Sequence, residues 1–169
     1  MPLPAEKTKA PNFELPASNG KTISLGDLKG KNVVIYFYPK DDTPGCTVEA
    51  CGFCDIYKEI EKQNTVILGV SPDDLKSHDK FIQKFKLPFT LLADEDKKMA
   101  QDYGVWAEKS MYGKKYMGVA RTTFVIDADG KIVKVFEKVK PEGHDKEVLE
   151  VLKALSSALS YPKTMVIHS

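Results

Sequence analysis

The sequence predicts an α/β fold, in which a mixed central sheet carries helices on both faces. Short apolar, β-branched runs alternate with longer amphipathic segments, which indicates strands and helices in succession. Two short turn sequences, SNGK at 18–21 and DADGK at 127–131, predict hairpins. The predicted strands are 32–38, 65–70, 89–92, 121–126 and 131–136, and the predicted helices are 43–63, 73–86, 94–103 and 144–159.

The order of these elements predicts the topology of the sheet. Residues 32–70 contain a strand, a helix and a second strand, a unit whose two strands lie parallel. The later hairpin adds antiparallel strands, and a last helix follows, which is the layout of a thioredoxin-like domain. No linker, repeat or low-complexity segment interrupts the pattern, so we expect residues 1–169 to form one domain. The tail at 161–169 has no predicted role.

Composition and charge exclude several classes of function. The 25 basic and 24 acidic residues give a net charge of +1, without the basic excess typical of nucleic-acid binding. No segment approaches the ~20 apolar residues of a membrane span, and the first residues lack the apolar core of a signal peptide. Three cysteines within one short segment do not make a disulfide framework, so we expect a reducing, cytoplasmic location.

All three cysteines lie in the segment YPKDDTPGCTVEACGFCD, residues 38–55. Thr43 followed by Pro44 is a helix start signal, with threonine as the N-cap and proline at the first helical position. Cys46 then lies in the first turn, among unpaired backbone N–H groups at the positive end of the helix dipole. This environment favours a thiolate over a thiol.

Helical periodicity separates Cys46 from Cys51. Cys46 shares one face with Ala50 and Phe53 and points towards the domain, whereas Cys51 lies about 140° away, on the outer side. An ideal helix places the two Cα atoms about 8–9 Å apart, beyond the ~4.4–6.8 Å that a disulfide spans. These two cysteines can therefore form a disulfide only if the first turns of the helix unwind.

Other cysteine chemistries have less support. An iron–sulfur cluster needs a fourth cysteine, and the three histidines stand outside any metal-ligand spacing, so we expect no metal and no cofactor. A C-x-x-C dithiol at Cys51 and Cys54 would have a permitted Cα separation of about 5 Å. Cys51 lies too far into the helix for the dipole to activate it. A thiol–disulfide oxidoreductase using this pair nevertheless stays open, as does a non-catalytic redox sensor or holdase.

Arg121 is the only arginine in a chain with 24 lysines. A guanidinium group offers a planar, permanently charged set of donors, which suits an anion in a partly buried site. Placed near Cys46, it would stabilise the thiolate and donate hydrogen bonds to an oxygen substrate. The alternative is a surface arginine on an edge strand.

These residues together resemble a known family. The segment PKDDTPGCTVEAC, at 39–51, is similar to the P-x-x-x-T-x-x-C active-site motif of the peroxiredoxins. More narrowly, it resembles their Q-type branch, the bacterioferritin comigratory proteins, in which a resolving cysteine follows five residues after the peroxidatic cysteine. The similarity extends from about residue 10 to about residue 159 and includes FTLLADED (89–96) and YGVWAEKSMYGKKYMGVARTTFVIDADGKI (103–132).

The resemblance implies a thiol peroxidase that reduces hydrogen peroxide and organic hydroperoxides. Position by position, Cys46 matches the peroxidatic cysteine and Cys51 the resolving cysteine, which form an intramolecular disulfide. Thr43 and Arg121 match residues that orient the peroxide and stabilise the thiolate, and Pro39 matches a proline that shields the pocket. The family further implies a thioredoxin- or glutaredoxin-type reductant and a monomer.

Two further positions on the predicted helix can be compared with the family pattern. Glu49 is similar to a family glutamate that braces the arginine. Relatives tend to have a basic residue after the GF dipeptide, where this chain has Cys54. Whether Cys51 alone resolves the sulfenic acid, or Cys54 can accept the disulfide in a second exchange, stays open.

Overall fold

The computed structural model describes residues 3–155. The tail at 161–169 and the end of the predicted last helix lie outside the described residues. In chain order the strands are β1 (Glu14–Pro16), β2 (Thr22–Ser24), β3 (Asn32–Phe37), β4 (Thr65–Ser71), β5 (Thr90–Ala93), β6 (Trp106–Met111), β7 (Lys114–Val119), β8 (Thr122–Ile126) and β9 (Ile132–Phe136). The helices are α1 (Pro44–Asp55), α2 (Tyr57–Lys62), α3 (Leu75–Phe85), α4 (Lys98–Asp102) and α5 (144–155 within the described part).

The central sheet has five strands in the order β5-β4-β3-β8-β9. Strand β3 pairs parallel to β4 and antiparallel to β8, and β8 pairs antiparallel to β9. The predicted mixed sheet and both predicted hairpins are therefore confirmed, since β1 also pairs antiparallel to β2. The antiparallel pairing of β3 with β8 puts the start of β8 beside the end of β3, and therefore brings Arg121 towards the start of α1.

Strand β3 is buried along its whole length because both faces of the sheet are covered. Val33, Ile35 and Phe37 point into one apolar cluster, which α4 covers together with the N-terminal segment. Val34 and Tyr36 alternate with them and point into a second cluster, which is covered by α1, α2, α3 and α5. The prediction of an α/β fold with helices on both faces is confirmed.

The predicted helix at 43–63 is in fact two helices. Helix α1 ends at Asp55, and Ile56, with φ of −113° and ψ of 14°, interrupts it before α2 begins. No glycine or proline stands at this point, so the sequence carries no breaker signal. Because of this interruption, α1 is a separate helix that contains all three cysteines.

The sequence prediction missed the two-stranded sheet formed by β6 and β7. Its turn is Tyr112-Gly113, with φ values of 52° and 78°, so both central residues adopt the left-handed conformation of a tight hairpin. Most of the large apolar side chains that are exposed in the described residues lie on this hairpin: Met111, Tyr112, Tyr116 and Met117. Among the described residues, no helix is both long enough and apolar enough to cross a membrane.

Candidate active site

Helix α1 begins where the sequence predicts. Thr43 is the N-cap in an extended conformation, and Pro44 occupies the first turn, so Cys46 is the third helical residue. The Thr43 hydroxyl does not cap the helix; Oγ1 donates instead to the carbonyl of Lys40, at 3.1 Å. The amide groups of the first turn are thus not used by the threonine side chain, and they remain available at the positive end of the helix.

Cys46 is only 1% exposed, and its sulfur has one charged partner. Arg121 Nη2 donates a hydrogen bond to Cys46 Sγ, at 3.1 Å. The contact follows from the sheet, since Phe37 at the end of β3 pairs with Thr122 at the start of β8. Helix α1 follows β3 after a short loop, so the residue before β8 meets the first turn of α1. Arg121 is therefore not a surface residue of an edge strand.

Glu49 lies one turn after Cys46 and holds the other arm of the guanidinium. Arg121 Nη1 donates to Glu49 Oε1, at 3.2 Å, and the glutamate side chain is 1% exposed. Burial raises the pKa of Glu49 to about 7, although the charge and the hydrogen bond of Arg121 act in the opposite direction. The second carboxylate oxygen is buried without a hydrogen-bond partner among the described residues. The arginine is thus held between a carboxyl group and a sulfur.

Gly45 makes room for the guanidinium. A Cβ atom at this position would lie 2.8 Å from Arg121 Nη2, closer than real Cβ atoms approach another atom. Any larger residue would push aside the same nitrogen that donates to Cys46. Glycine at this position therefore lets the guanidinium approach the first turn of α1 closely, whereas a larger residue would require the guanidinium to shift.

Thr43 and Pro39 lie in the loop between β3 and α1, residues 38–43. Both side chains are half-buried. The structure thus brings Cys46, Arg121 and Glu49 into direct contact and puts Thr43 one turn before the sulfur, at the helix start.

Cys51 and Cys54 lie further along the same helix, and all three cysteines are free thiols. Burial, with the charge of Asp55, raises the pKa of Cys51. Burial, followed by the charges of Cys51 and Asp55, raises the pKa of Cys54 to about 12. Helix α1 is continuous from Cys46 to Cys51, so the structure does not bring these two thiols together.

Lys109 was missed in the sequence analysis. It lies half-buried on β6, where burial and then the positive charge of Arg121 lower its pKa, while the sulfur of Cys46 acts in the opposite direction. It thus adds a second cation to the surroundings of Arg121. One lysine among 24 carries no sequence signal that separates it from the others.

Comparisons with known proteins identify the family of this chain. The profile of the AhpC/TSA family matches residues 7–135. The putative peroxiredoxin bcp of Coxiella burnetii is 55% identical over 141 residues, which cover 83% of this chain and 93% of the relative. Peroxiredoxin Bcp of Bacillus subtilis is 49% identical over 148 residues, with 88% of this chain and 94% of the relative covered.

Solved structures give the same result. Peroxiredoxin Q of Xanthomonas campestris superposes with a TM-score of 0.82 at 42% identity, covering 85% of this chain and 91% of the other. AhpC of Mycobacterium tuberculosis superposes with a TM-score of 0.78 at 29% identity, covering 93% and 96%. These neighbours confirm the thioredoxin-like fold. The chain belongs to the AhpC/TSA family and is a peroxiredoxin of the Bcp and peroxiredoxin Q type, a thiol-dependent peroxidase.

Proposed function

We propose that Cys46 is the peroxidatic cysteine and that its substrates are hydrogen peroxide and organic hydroperoxides. The observation that carries this assignment is the 3.1 Å hydrogen bond from Arg121 to the buried Cys46 sulfur. A solved Xanthomonas campestris bacterioferritin comigratory protein is described as having alkyl peroxide reduction activity. This description supports the inclusion of organic hydroperoxides among the substrates.

The first step is nucleophilic attack by the Cys46 thiolate on the terminal oxygen of the peroxide. The S–O bond forms as the O–O bond breaks, the sulfur is oxidised to a sulfenic acid, and water or an alcohol leaves after protonation. Arg121, Thr43 and the first-turn amides orient the two oxygens and stabilise the developing negative charge. No metal, flavin or haem takes part in this step.

The second step joins Cys46 to Cys51. Helix α1 must first unwind locally, because both cysteines lie in one continuous helix. The Cys51 sulfur then attacks the sulfenic sulfur, a disulfide forms, and a second water leaves. Cys51 is the better candidate than Cys54, since burial raises the pKa of Cys54 to about 12. The raised pKa values of both thiols also disfavour a C-x-x-C oxidoreductase.

An external dithiol then reduces the disulfide by exchange, which returns both cysteines to thiols. We assign this role to a thioredoxin- or glutaredoxin-type protein in the cytoplasm, and we propose that the chain acts as a monomer of one domain. The cysteine pattern supports a reducing setting, because three cysteines within one short segment do not make a disulfide framework.

The deciding experiment compares Cys46→Ser with Cys54→Ser. We expect Cys46→Ser to lose peroxide turnover entirely and Cys54→Ser to keep most of it, in an assay coupled to thioredoxin and its reductase. Mass spectrometry of the peroxide-treated wild type should find Cys46 linked to Cys51. Substantial turnover by Cys46→Ser, or a disulfide that leaves Cys46 out, would refute the assignment.

A further inference from the structure

A second buried polar cluster lies beside the active site, and the reaction described above does not use it. At its centre is Asp41, in the loop between β3 and α1. Asp41 Oδ2 lies 2.7 Å from His78 Nδ1 and accepts a hydrogen bond from Ser77 Oγ at 2.8 Å. Asp41 Oδ1 accepts from the Tyr38 hydroxyl at 2.5 Å. The amide of Asp41 donates to Asp73 Oδ2 at 2.8 Å.

His78 is fully buried on α3 and uses both ring nitrogens. Nε2 lies 2.8 Å from the carbonyl oxygen of Leu92 on β5, an atom that can only accept a hydrogen bond. Nε2 therefore carries a proton. Asp41 already accepts hydrogen bonds from the hydroxyl groups of Tyr38 and Ser77, so both of its carboxylate oxygens act as acceptors. The proton between Asp41 and His78 then belongs to Nδ1, and the ring is an imidazolium.

The charges around His78 agree with this protonation state. Burial lowers the pKa of His78, but the hydrogen bond and charge of Asp41, the Leu92 carbonyl and the charge of Asp73 outweigh it, so the pKa is raised. His144 is a useful contrast, because it is equally buried and its Nε2 meets the hydroxyl of Thr123, which can donate or accept. Burial lowers the pKa of His144, so it is the neutral histidine of the pair.

We propose that His78 is a positioning residue for the peroxidase reaction: its imidazolium and the Asp41 carboxylate form a buried ion pair that holds the loop at 38–43 against α3 and β5. The loop carries Thr43, the N-cap of α1, so the pair fixes the start of the helix and the direction of the Cys46 sulfur. The inference rests on the proposed role of Cys46.

A metal site is the alternative use of the same residues. Asp41, Asp73 and His78 each offer a ligand atom, and these atoms lie within 4.8 Å of one another. Both ring nitrogens of His78 are already engaged in hydrogen bonds, however, so neither offers a free lone pair to a cation. The structure therefore favours the ion pair.

The first test is made on the wild-type protein. The ¹⁵N chemical shifts of the His78 ring should be those of an imidazolium at pH 7 and should titrate above the ordinary pKa of histidine. His144 should give the shifts of a neutral ring under the same conditions. Neutral ring shifts for His78 at pH 7 would overturn the proposal, and this measurement needs no variant.

The second test compares His78→Asn with His144→Asn. His78→Asn keeps a donor towards Asp41 but loses the charge, and we expect the rate of Cys46 oxidation by hydrogen peroxide in stopped flow to fall by about tenfold or more at neutral pH. His144→Asn removes an equally buried ring and serves as the matched control, with a rate within about twofold of wild type. An unchanged rate in folded His78→Asn would contradict the proposal.

The pH dependence separates positioning from loss of packing. The ion pair is intact below the raised pKa of His78 and is lost as the pH rises through it. The ratio of wild-type to His78→Asn rates should therefore approach one at alkaline pH, whereas a packing defect would give a constant ratio. Should His78→Asn fail to fold, Asp41→Asn removes the same pair and is measured in its place.

Two further outcomes are decisive. Loss of wild-type activity in EDTA, restored by a divalent cation, would show that the cluster binds a metal and overturn the ion pair. The failure of this proposal is distinguishable from failure of the proposed function. An inactive Cys46→Ser alongside a fully active His78→Asn would overturn only the role of His78, whereas an active Cys46→Ser would refute the assignment of Cys46 itself.

Discussion

The two ends of α1 carry the same functional group in opposite environments. At the first turn, Cys46 is buried, faces unpaired amides and accepts a hydrogen bond from Arg121 at 3.1 Å. Towards the last turn, Cys51 and Cys54 have no cationic hydrogen-bond partner among residues 3–155, and burial raises the pKa of both. Under the proposed assignment of Cys46, the position in the helix and the long-range partner, and not the thiol itself, decide which cysteine reacts first.

Cys51→Ser tests the later end of the helix and has the largest expected effect. The variant should consume about one peroxide per chain and then stop, because the sulfenic acid at Cys46 has no resolving thiol. The measurement is the burst amplitude against steady-state turnover with thioredoxin, and Cys54→Ser is the control. Sustained turnover by Cys51→Ser would mean that Cys54 resolves the sulfenic acid. The role of resolving cysteine would then pass from Cys51 to Cys54.

Arg121→Lys tests the first turn. Lysine keeps a positive charge but has one donor nitrogen in place of the two coplanar nitrogens of the guanidinium, which donate separately to Cys46 and Glu49 at 3.1 and 3.2 Å. We expect the second-order rate constant for peroxide to fall by about 100-fold. Stopped-flow oxidation of Cys46 measures this rate constant. A value within a factor of two of wild type would show that the paired donors of the guanidinium are not needed for the reaction.

Gly45→Ala and Gly52→Ala each add one methyl group to α1, and they have the smallest expected effects. Alanine at position 45 places a Cβ 2.8 Å from Arg121 Nη2, whereas at position 52 the Cβ meets Asp145 Oδ1 at 3.0 Å, away from the sulfur. Alanine favours a helix over glycine by up to about 1 kcal/mol. Gly45→Ala should therefore lose about tenfold in peroxide rate, as expected for a misplaced catalytic group, without losing helix content.

Gly52→Ala is the matched control on the same helix. It should keep the wild-type rate, and circular dichroism with urea unfolding should show whether either variant is destabilised. Equal rates for the two variants would show that the close approach of Arg121 to Gly45 does not matter for the reaction.

The local features of this protein can be predicted from short stretches of its sequence. A short run of apolar, β-branched residues predicts β3, and Thr43 followed by Pro44 predicts the start of α1. Cys46 thereby lands in the first turn. These signals depend on backbone geometry and on neighbours within a few positions. A short stretch of sequence is therefore enough to predict a strand or a helix start. The family motif then adds the expectation that Arg121 belongs to the same site.

Features that depend on residues far apart in the chain are visible only in the folded structure. The pairing of β3 with β8 brings Arg121 to Cys46, and the packing of α3 brings His78 to Asp41. Packing also explains the helix break at Ile56 and the position of Lys109 near the site. No local sequence pattern predicts either feature. The physical reason is that sheet register and side-chain burial are set by the whole core at once, whereas a helix start is set by the residues beside it.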